Sequence, residues 1–327
     1  MTLSPDAQVL LLLCSHLGLR SDTEIKPLTL REWNSLTDKI LASPLQQPGE
    51  MLGRSVSDLQ DLLGLDEQES ARLASLMERG DGLGAELRRL ESAGIHVLTR
   101  SDAGYPSRYR QRLNQSAPLM LFYAGNHELL GQPGIAVVGS RNLDQVGQEC
   151  ATLVGNACGF SGLVLYSGGA RGVDTISMQS VLESRGFSVG VLAFGLEKSI
   201  RIPDYRAAIA RGDLCLVTSY SPNAGFNVGA AMGRNRLIYT LADYAIVVAS
   251  DANKGGTWAG STEALKAGWL PVFVLQHEDM PEGNRLLIQK GAIPLPYPLP
   301  VDYSRLRDWL EENAATKTPG PNQLRLL

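Results

Sequence analysis

The chain has 327 residues, of which 44% are hydrophobic, enough for one large domain with its own core and a smaller second domain. Its formal net charge of -4 argues against a uniformly basic, duplex-binding surface, although a local basic groove is compatible with that total. The four cysteines and four histidines are scattered without ligand spacing, so we expect neither a disulfide framework nor a metal site.

An apolar run near the N-terminus, Val9 to Leu13, has no basic stretch before it and is far shorter than a membrane span. Neither a signal peptide nor a transmembrane helix is expected, and the predicted location is the cytoplasm. The cysteines fit a reducing compartment, and we expect them to be buried thiols.

Residues 1–84 are predicted to form a small helical domain, because apolar stretches separated by prolines show no strand alternation. The clearest helix starts at Asp66, whose carboxylate can cap the amide of Glu69 while the Glu69 side chain reaches back, as in a capping box. The stretch from Leu62 to Leu65 is similar to the turn of a helix-hairpin-helix, but a helix end at Gly64 is the simpler interpretation.

Residues 85–300 are predicted to form an α/β domain of the Rossmann-like, doubly wound type with a mainly parallel sheet. After a helix from Ala85 to Ser92, two apolar stretches, Ile95 to Thr99 and Pro118 to Asn126, are interpreted as edge strands. Further along, six apolar strands recur at the spacing of βαβ units. These strands are Ile135 to Val138, Leu163 to Tyr166, Ser188 to Ala193, Leu214 to Thr218, Tyr244 to Val248 and Pro271 to Leu275.

Glycine-rich loops follow three of these strands, and the carboxyl ends of parallel strands meet at one edge of a sheet. The loops are Gly139-Ser140-Arg141, Ser167 to Gly172, and Lys254 to Thr257. Each has a basic residue and feeds a helix, whose first amides lack partners and favour an anion. One such loop alone can be a tight turn, but three together predict a phosphate pocket.

A fourth part of this pocket is predicted in a helix from Val228 to Leu241, where Arg234 and Arg236 flank Asn235. A solvated helix face is the alternative interpretation of these arginines. The predicted anion-binding residues are Gly139, Ser140, Arg141, Ser167, Gly168, Gly169, Arg171, Arg234, Asn235, Arg236, Lys254, Gly255, Gly256 and Thr257. Three aromatic residues are candidates for stacking on bases, with core packing as the alternative: Tyr220, Phe226 and Trp258.

Motifs of several other chemistries are missing from the sequence. The loop after the first sheet strand lacks the glycine spacing of a dinucleotide fingerprint, and the chain has no Walker sequence. It also has no Gly-x-Ser-x-Gly elbow and no serine, histidine and aspartate that we can place on one rim. We therefore expect no catalytic residue, no metal and no cofactor.

Taken in chain order, these motifs resemble the DprA/Smf family of DNA-processing proteins over about residues 85 to 295. The segments that carry the resemblance are Gly94 to Pro106, Pro118 to Asn126, Val138 to Arg141, Ser167 to Asp174, Arg234 to Ile238 and Gly283 to Ala292. The resemblance implies a Rossmann-like core that binds single-stranded DNA, a homodimer, and a RecA-type recombinase as a partner. The residues to which it carries contacts with DNA are Ser140, Arg141, Arg171, Arg234 and Asn235.

Some positions depart from the family pattern. Met178, Ser219 and Ala249 stand where the family usually has histidine, glutamate and glutamate. Residues 301–327 are predicted to be a short C-terminal helix and tail, too few for the winged helix that many members carry. We therefore expect a divergent member of the family.

The function expected from these motifs is non-enzymatic binding of single-stranded DNA in recombination, in DNA-mediated transformation or in a related defence system. The alternative is a nucleotide-binding enzyme or sensor similar to the LOG phosphoribohydrolases, with Glu263 as its carboxylate. The glycine-rich motif of that group is partly present at Gly255 to Thr257. A scaffold with a vestigial pocket is a third interpretation.

Overall fold

The computed structural model describes residues 3–19, 25–299 and 302–315. The chain divides into two units. The first unit comprises Met1–Ala124 with Ser219–Pro222, and the second comprises Gly125–Thr218 with Asn223–Leu327. The division at residue 124 differs from the predicted domain boundary at residue 84, which lies inside the first unit.

The first unit contains helices and a two-stranded hairpin. Its elements are α1 (Pro5–Cys14), α2 (Leu30–Ala42), α3 (Val56–Leu63), α4 (Glu67–Met77), α5 (Gly80–Ser92), β1 (His96–Thr99), α6 (Ser107–Leu113) and β2 (Met120–Gly125). β1 and β2 pair antiparallel, with His96 opposite Tyr123 and Thr99 opposite Met120. Because α1 and α5 both contact β1, the hairpin belongs to the helical unit, which extends that unit beyond residue 84.

The predicted helix ends between α3 and α4 are confirmed. The Asp66 carboxylate accepts a hydrogen bond from the Glu69 amide at 2.8 Å, and the Glu69 carboxylate accepts one from the Asp66 amide at 3.4 Å. α3 ends at Gly64, which adopts the left-handed conformation with φ 59° and ψ 45°. Local sequence therefore determines how this pair of helices is joined.

The C-terminal end of α1 is capped by an arginine that is distant in sequence. The Arg79 guanidinium donates to the carbonyls of Leu17 at 2.6 Å and Ser15 at 2.7 Å, and also to those of Leu11 and Leu12. Burial lowers the pKa of Arg79 to about 10, so the side chain remains charged at neutral pH. A cation placed here satisfies orphan carbonyls and complements the helix dipole.

The second unit is an α/β domain with a parallel sheet, which confirms the predicted fold class. Its strands are β3 (Gly134–Val138), β4 (Val164–Ser167), β5 (Ser188–Val191), β6 (Leu214–Thr218), β7 (Tyr244–Val247), β8 (Val272–Gln276) and β9 (Ile293–Pro296). Its helices are α7 (Gln145–Ser161), α8 (Val173–Glu183), α9 (Leu196–Ser199), α10 (Pro203–Arg211), α11 (Val228–Leu241), α12 (Gly255–Ala267), α13 (Glu282–Gln289) and α14 (Leu306–Ala315). The strands of this unit lie in the order β6, β5, β4, β3, β7, β8, β9, and the neighbouring pairs are parallel.

The six strands predicted from apolar runs are all present, and β6 and α11 have their predicted bounds. The sequence prediction misses β9, because Pro294 and Pro296 interrupt its apolar pattern. Proline has no amide to donate to a ladder, so it is tolerated at a sheet edge. β9 lies at the end of the strand order, beside β8, which explains how it keeps both prolines.

The order of connection reverses at β3, the middle strand. β4, β5 and β6 lie on one side of it, β7, β8 and β9 lie on the other, and α11 makes the crossover from β6 to β7. In sheets of this type a reversal opens a crevice at the carboxyl ends of the two strands that flank it. Here those strands are β3 and β7, and β3 is buried along its whole length.

Three of the four thiols are buried, as expected: Cys150 and Cys158 in α7 and Cys215 in β6. Cys14 is half-buried. Burial raises the pKa of Cys150 and Cys158 to about 12, and it raises the pKa of Cys14 and Cys215 in the same way. At neutral pH these side chains are therefore thiols rather than nucleophilic thiolates.

The predicted C-terminal helix is present as α14, and its Leu306 and Leu310 are buried. The predicted tail beyond it, residues 316–327, lies outside the described residues. Across the described ranges, no helix has both the length and the apolar character needed to cross a bilayer.

Candidate functional site

A cavity of about 450 Å³ opens in the second unit, at the carboxyl ends of β3 and β7. It is bounded by the loops that follow these strands, the first turn of α12 and one face of α11. The predicted anion-binding residues that line it are Gly139, Ser140, Arg141, Arg234, Asn235, Lys254, Gly255, Gly256 and Thr257. The structure thus brings three separate segments of the prediction into one cavity.

The loop after β3 is fixed through its backbone, which leaves its arginine side chain available. The Ser140 amide donates to the carbonyl of Ala249 at 2.8 Å, and the Ser140 hydroxyl accepts from the Asn142 amide at 3.3 Å. A Cβ added to Gly139 would lie 2.3 Å from Cγ2 of Val173, so this position requires glycine. Arg141 is exposed at the rim and makes no hydrogen bond or ion pair within the described part of the chain.

The loop between β4 and α8 supports the first loop and contributes only Ala170 to the cavity lining. The Val173 amide donates to the Ser140 carbonyl at 3.4 Å. At Gly172 an added Cβ would be 2.5 Å from that same carbonyl oxygen. The predicted residues of this loop that do not line the cavity are Ser167, Gly168, Gly169 and Arg171. Ser167 is buried and donates to the Val137 carbonyl at 2.7 Å, whereas Arg171 is exposed outside the cavity.

Arg234 and Asp174 are two buried ionisable residues that interact electrostatically in the floor of the cavity. Arg234 is 6% exposed, and its Nη1 donates to the carbonyl of Val191 at 2.6 Å. Asp174 is also buried, and its carboxylate accepts from the Ala170 amide at 3.3 Å. Burial raises the pKa of Asp174, and the charge of Arg234 opposes that rise. Arg234 therefore determines the shape and the charge of the cavity floor, and its buried guanidinium is not an open group for direct binding of a ligand.

The other two residues of the predicted arginine motif have different positions. Asn235 lines the cavity and contacts the first turn of α12, since a Cβ added to Gly256 would be 2.6 Å from Nδ2 of Asn235. Arg236 is half-buried and lies outside the lining. The motif therefore provides one buried cation and one amide to the cavity.

The N-terminus of α12 forms another wall of the cavity. Lys254 occupies the N-cap position without a side-chain hydrogen bond to the helix, and Gly255 has a φ of +81°. The amides of this first turn therefore have no side-chain cap and carry the positive end of the helix dipole. Lys254 is exposed and has no hydrogen-bond or ion-pair partner in the described ranges. This wall combines a free cation with backbone donors, as an anion site requires.

Three apolar side chains in or before α11 form a further wall, which the sequence predicted only in part. Phe226, Val228 and Met232 are 55%, 69% and 52% exposed, and all three line the cavity. Of the other candidate stacking residues, Trp258 is buried beneath Lys290, and Tyr220 belongs to the first unit. Val228 and Met232 are four residues apart and therefore lie on the same face of the helix, and this spacing is the sequence signal that could have predicted their place in the wall.

Acidic groups are few in the lining. Asp174 lies in the floor, and Asp251 is exposed at the rim. Glu263, the carboxylate of the alternative enzymatic interpretation, is exposed on α12 and does not line the cavity. Within the described residues, no three histidine, cysteine or carboxylate side chains form a possible metal site.

Two of the departures from the family pattern occupy packed positions. Met178 is buried in α8, where its methyl group packs close to Gly190, and it does not line the cavity. Ala249 is 5% exposed, and its backbone carbonyl holds the Ser140 amide. Neither residue belongs to the cavity lining.

Comparison with known proteins gives consistent matches. A family model described as DNA recombination-mediator protein A matches residues 96–297. DNA processing protein DprA of Streptococcus pneumoniae is 30% identical over 185 residues, which cover 54% of this chain and 63% of that protein. Protein Smf of Escherichia coli is 27% identical over 238 residues, covering 70% of this chain and 61% of that protein. The matches thus span somewhat less than two thirds of these relatives' lengths.

Solved structures show the same fold. The X-ray structure of DNA processing protein A from Streptococcus pneumoniae matches with a TM-score of 0.60 and 25% identity, covering 82% of this chain and 94% of that chain. A structure of DNA processing protein A from Helicobacter pylori, described for the single-stranded DNA binding mode of that protein, matches with a TM-score of 0.55 and 21% identity. That match covers 68% of this chain and 99% of the Helicobacter pylori chain.

Proposed function

Because this chain belongs to the DNA recombination-mediator protein A family, we propose that its cavity binds single-stranded DNA in DNA processing and recombination. The observation that carries the proposal is the pairing of two free cations, Arg141 and Lys254, with the uncapped amides of α12 around one cavity, within the part of the chain that the structure describes. Backbone phosphates are the ligands that such a set of donors fits.

The walls of the cavity match the two chemical parts of a single strand. Arg141 and Lys254 face the phosphate chain, whose charge supplies affinity without sequence preference. Phe226 and Met232 offer apolar surface to bases that a duplex would keep stacked inside. The arrangement therefore favours a single strand over a duplex.

We propose binding and not catalysis as the activity of this cavity. Asp174 is buried beside Arg234, where it holds the loop before α8, and Asp251 stands alone at the rim among the described residues. A hydrolase of nucleotides would need a carboxylate placed to assist bond cleavage. Glu263, the candidate for that role, lies outside the lining.

The proposal extends to the biological setting that family membership suggests. We propose a cytoplasmic protein that acts as a homodimer, with a RecA-type recombinase as its partner, in recombination or DNA-mediated transformation. The cavity is lined by cations although the chain as a whole has a net charge of -4. This distribution supports selective binding of a strand at the cavity, as opposed to a general attraction of the protein surface to nucleic acid.

The proposal is tested by fluorescence anisotropy with a labelled single-stranded oligonucleotide and with the matching duplex. The single strand should bind more tightly, and its affinity should fall linearly with salt on logarithmic axes because phosphate contacts release counterions. Absent binding, salt-independent binding or a preference for duplex would each contradict the proposal.

A further inference from the structure

Asn284 lies in the first turn of α13, outside the cavity lining, and is completely buried. Its Oδ1 accepts from the Ser250 amide at 2.8 Å. Its Nδ2 donates to the carbonyls of Val248 at 3.0 Å and Leu275 at 2.9 Å. One side chain thus joins the ends of β7 and β8 through three buried hydrogen bonds.

Two of these hydrogen bonds are made to the residues on either side of Ala249, which holds the loop after β3. Val248 and Ser250 flank Ala249, whose carbonyl accepts the Ser140 amide at 2.8 Å. The position of the Ala249 carbonyl therefore depends on the hydrogen bonds that Asn284 makes to Val248 and Ser250. Because this carbonyl fixes Ser140, the same hydrogen bonds also influence the position of Arg141 at the rim of the cavity.

A second set of contacts leads to the cavity wall formed by the N-terminus of α12. Ser250 begins the short connection that ends at Lys254, the N-cap of α12. α13 is packed directly on this connection, since a Cβ added to Gly283 would lie 2.1 Å from the Ser250 carbonyl oxygen. Asn284 thus holds the start of the connection by a hydrogen bond, and Gly283 packs against it so closely that no larger residue would fit.

We propose that Asn284 is a positioning residue for the anion site, which sets the places of Arg141 and Lys254 without touching the ligand. This inference rests on the proposed binding of single-stranded DNA. Asparagine suits the role because it offers one acceptor to an amide and two donors to carbonyls, and buried groups of this kind need their partners. An aspartate of the same shape would turn an acceptor towards two carbonyl oxygens.

The test measures single-strand binding by anisotropy for the unmodified protein and the Asn284→Asp and Asn284→Ser variants, at a temperature where each is folded by circular dichroism. Tyr166→Phe is the matched control, because it removes buried hydrogen bonds to the carbonyls of Leu129 and Gln132, which are not part of the cavity. We expect about a tenfold or greater loss of affinity for the Asn284 variants and none for the control.

The salt dependence separates positioning from a general loss of stability. Misplacing one cation should lower the slope of log affinity against log salt by about 0.7 for each phosphate that is no longer neutralised. In the double variant Asn284→Asp with Lys254→Ala, the fold-losses should be less than multiplicative, because the two changes act on the same phosphate interaction.

The outcomes distinguish the two proposals. If the unmodified protein binds and the Asn284 variants bind equally well, or if the double variant shows fully multiplicative losses with an unchanged salt slope in Asn284→Asp, the positioning role is wrong while the proposed function stands. If the unmodified protein does not bind single strands, the proposed function fails and this inference falls with it.

Discussion

The guanidinium of Arg234 lies directly against the backbone of Gly168, so close that a Cβ added to the glycine would be 1.6 Å from Nη1. The arginine therefore occupies space that every other residue at position 168 would fill. With Nη1 bonded to the Val191 carbonyl and its charge beside Asp174, it joins the loop before α8 to β5. The floor of the cavity depends on this contact.

Gly168→Ala should therefore displace Arg234 and destabilise the second unit. Overpacking of this kind costs about 1–3 kcal/mol, and we expect a loss in that range by urea unfolding, together with weaker single-strand binding. Gly131→Ala is the matched control, because no atom lies within 4 Å of the added methyl group. An unfolding midpoint for Gly168→Ala equal to that of the control would show that the floor rearranges freely.

The structure separates two arginines that the sequence treated alike. Arg141 lines the cavity and Arg171 does not, although both are exposed. Arg141→Ala should weaken single-strand binding about tenfold and lower the salt slope by about 0.7, as expected when one phosphate loses its cation. Arg171→Ala should have a smaller effect, and Arg206→Ala on α10 none. Equal losses of single-strand affinity for Arg141→Ala and Arg171→Ala would mean that the bound strand extends beyond the cavity to Arg171.

Phe226 tests the apolar wall independently of charge. Stacking of a base on an aromatic side chain is worth about 1–3 kcal/mol, so Phe226→Ala should lower single-strand affinity at least fivefold. Because no cation is removed, the salt slope should stay unchanged in an anisotropy titration. Phe160→Ala is the control, since this exposed phenylalanine lies at the end of α7 outside the lining. A change in slope without a change in affinity would argue against base stacking.

Glu32 gives the first unit a pH dependence of known sign. Hydrogen bonds from Arg72 and from the Thr29 amide lower the pKa of Glu32 to about 2. The stabilisation is therefore present above the ordinary glutamate pKa and is lost as pH falls towards 2. Such a partly exposed ion pair is worth about 0.2–1 kcal/mol.

In thermal melts, Glu32→Gln should be less stable than the unmodified protein at pH 7, and the difference should shrink between pH 4.5 and pH 2. Asp61→Asn on α3 removes an exposed carboxylate and serves as the charge-matched control. A difference that grows on acidification would reverse the assigned sign.

Local and periodic features of the fold could be predicted from sequence, because their causes lie within a few residues. The strand Leu214–Thr218, the helix Val228–Leu241 and the Asp66 cap all appear where the pattern places them. β9 could not be predicted in the same way, because its two prolines are acceptable only at an edge, and edge position is a property of the whole sheet.

The same distinction applies to the candidate site. The glycine loops were predicted because strand ends and glycines are visible in the sequence, and the cavity gathers Gly139 and Gly256 as expected. Sequence spacing does not show which arginines turn inwards, and so Arg234 and Arg171 could not be told apart. The role of Asn284 depends on contacts with residues up to 36 positions away, for which no short pattern exists.

The protected state of the native thiols has a practical use. Since burial raises the pKa of Cys150 and Cys158 to about 12 and also raises the pKa of Cys14 and Cys215, maleimide reagents at neutral pH should react with these thiols only slowly. A single cysteine placed on the exposed face of α10, as in Ala210→Cys, would then accept one fluorophore without removal of the natural cysteines. The protein thus permits site-specific dye attachment in its otherwise natural sequence, so strand capture can be followed from the protein side as well as from the DNA.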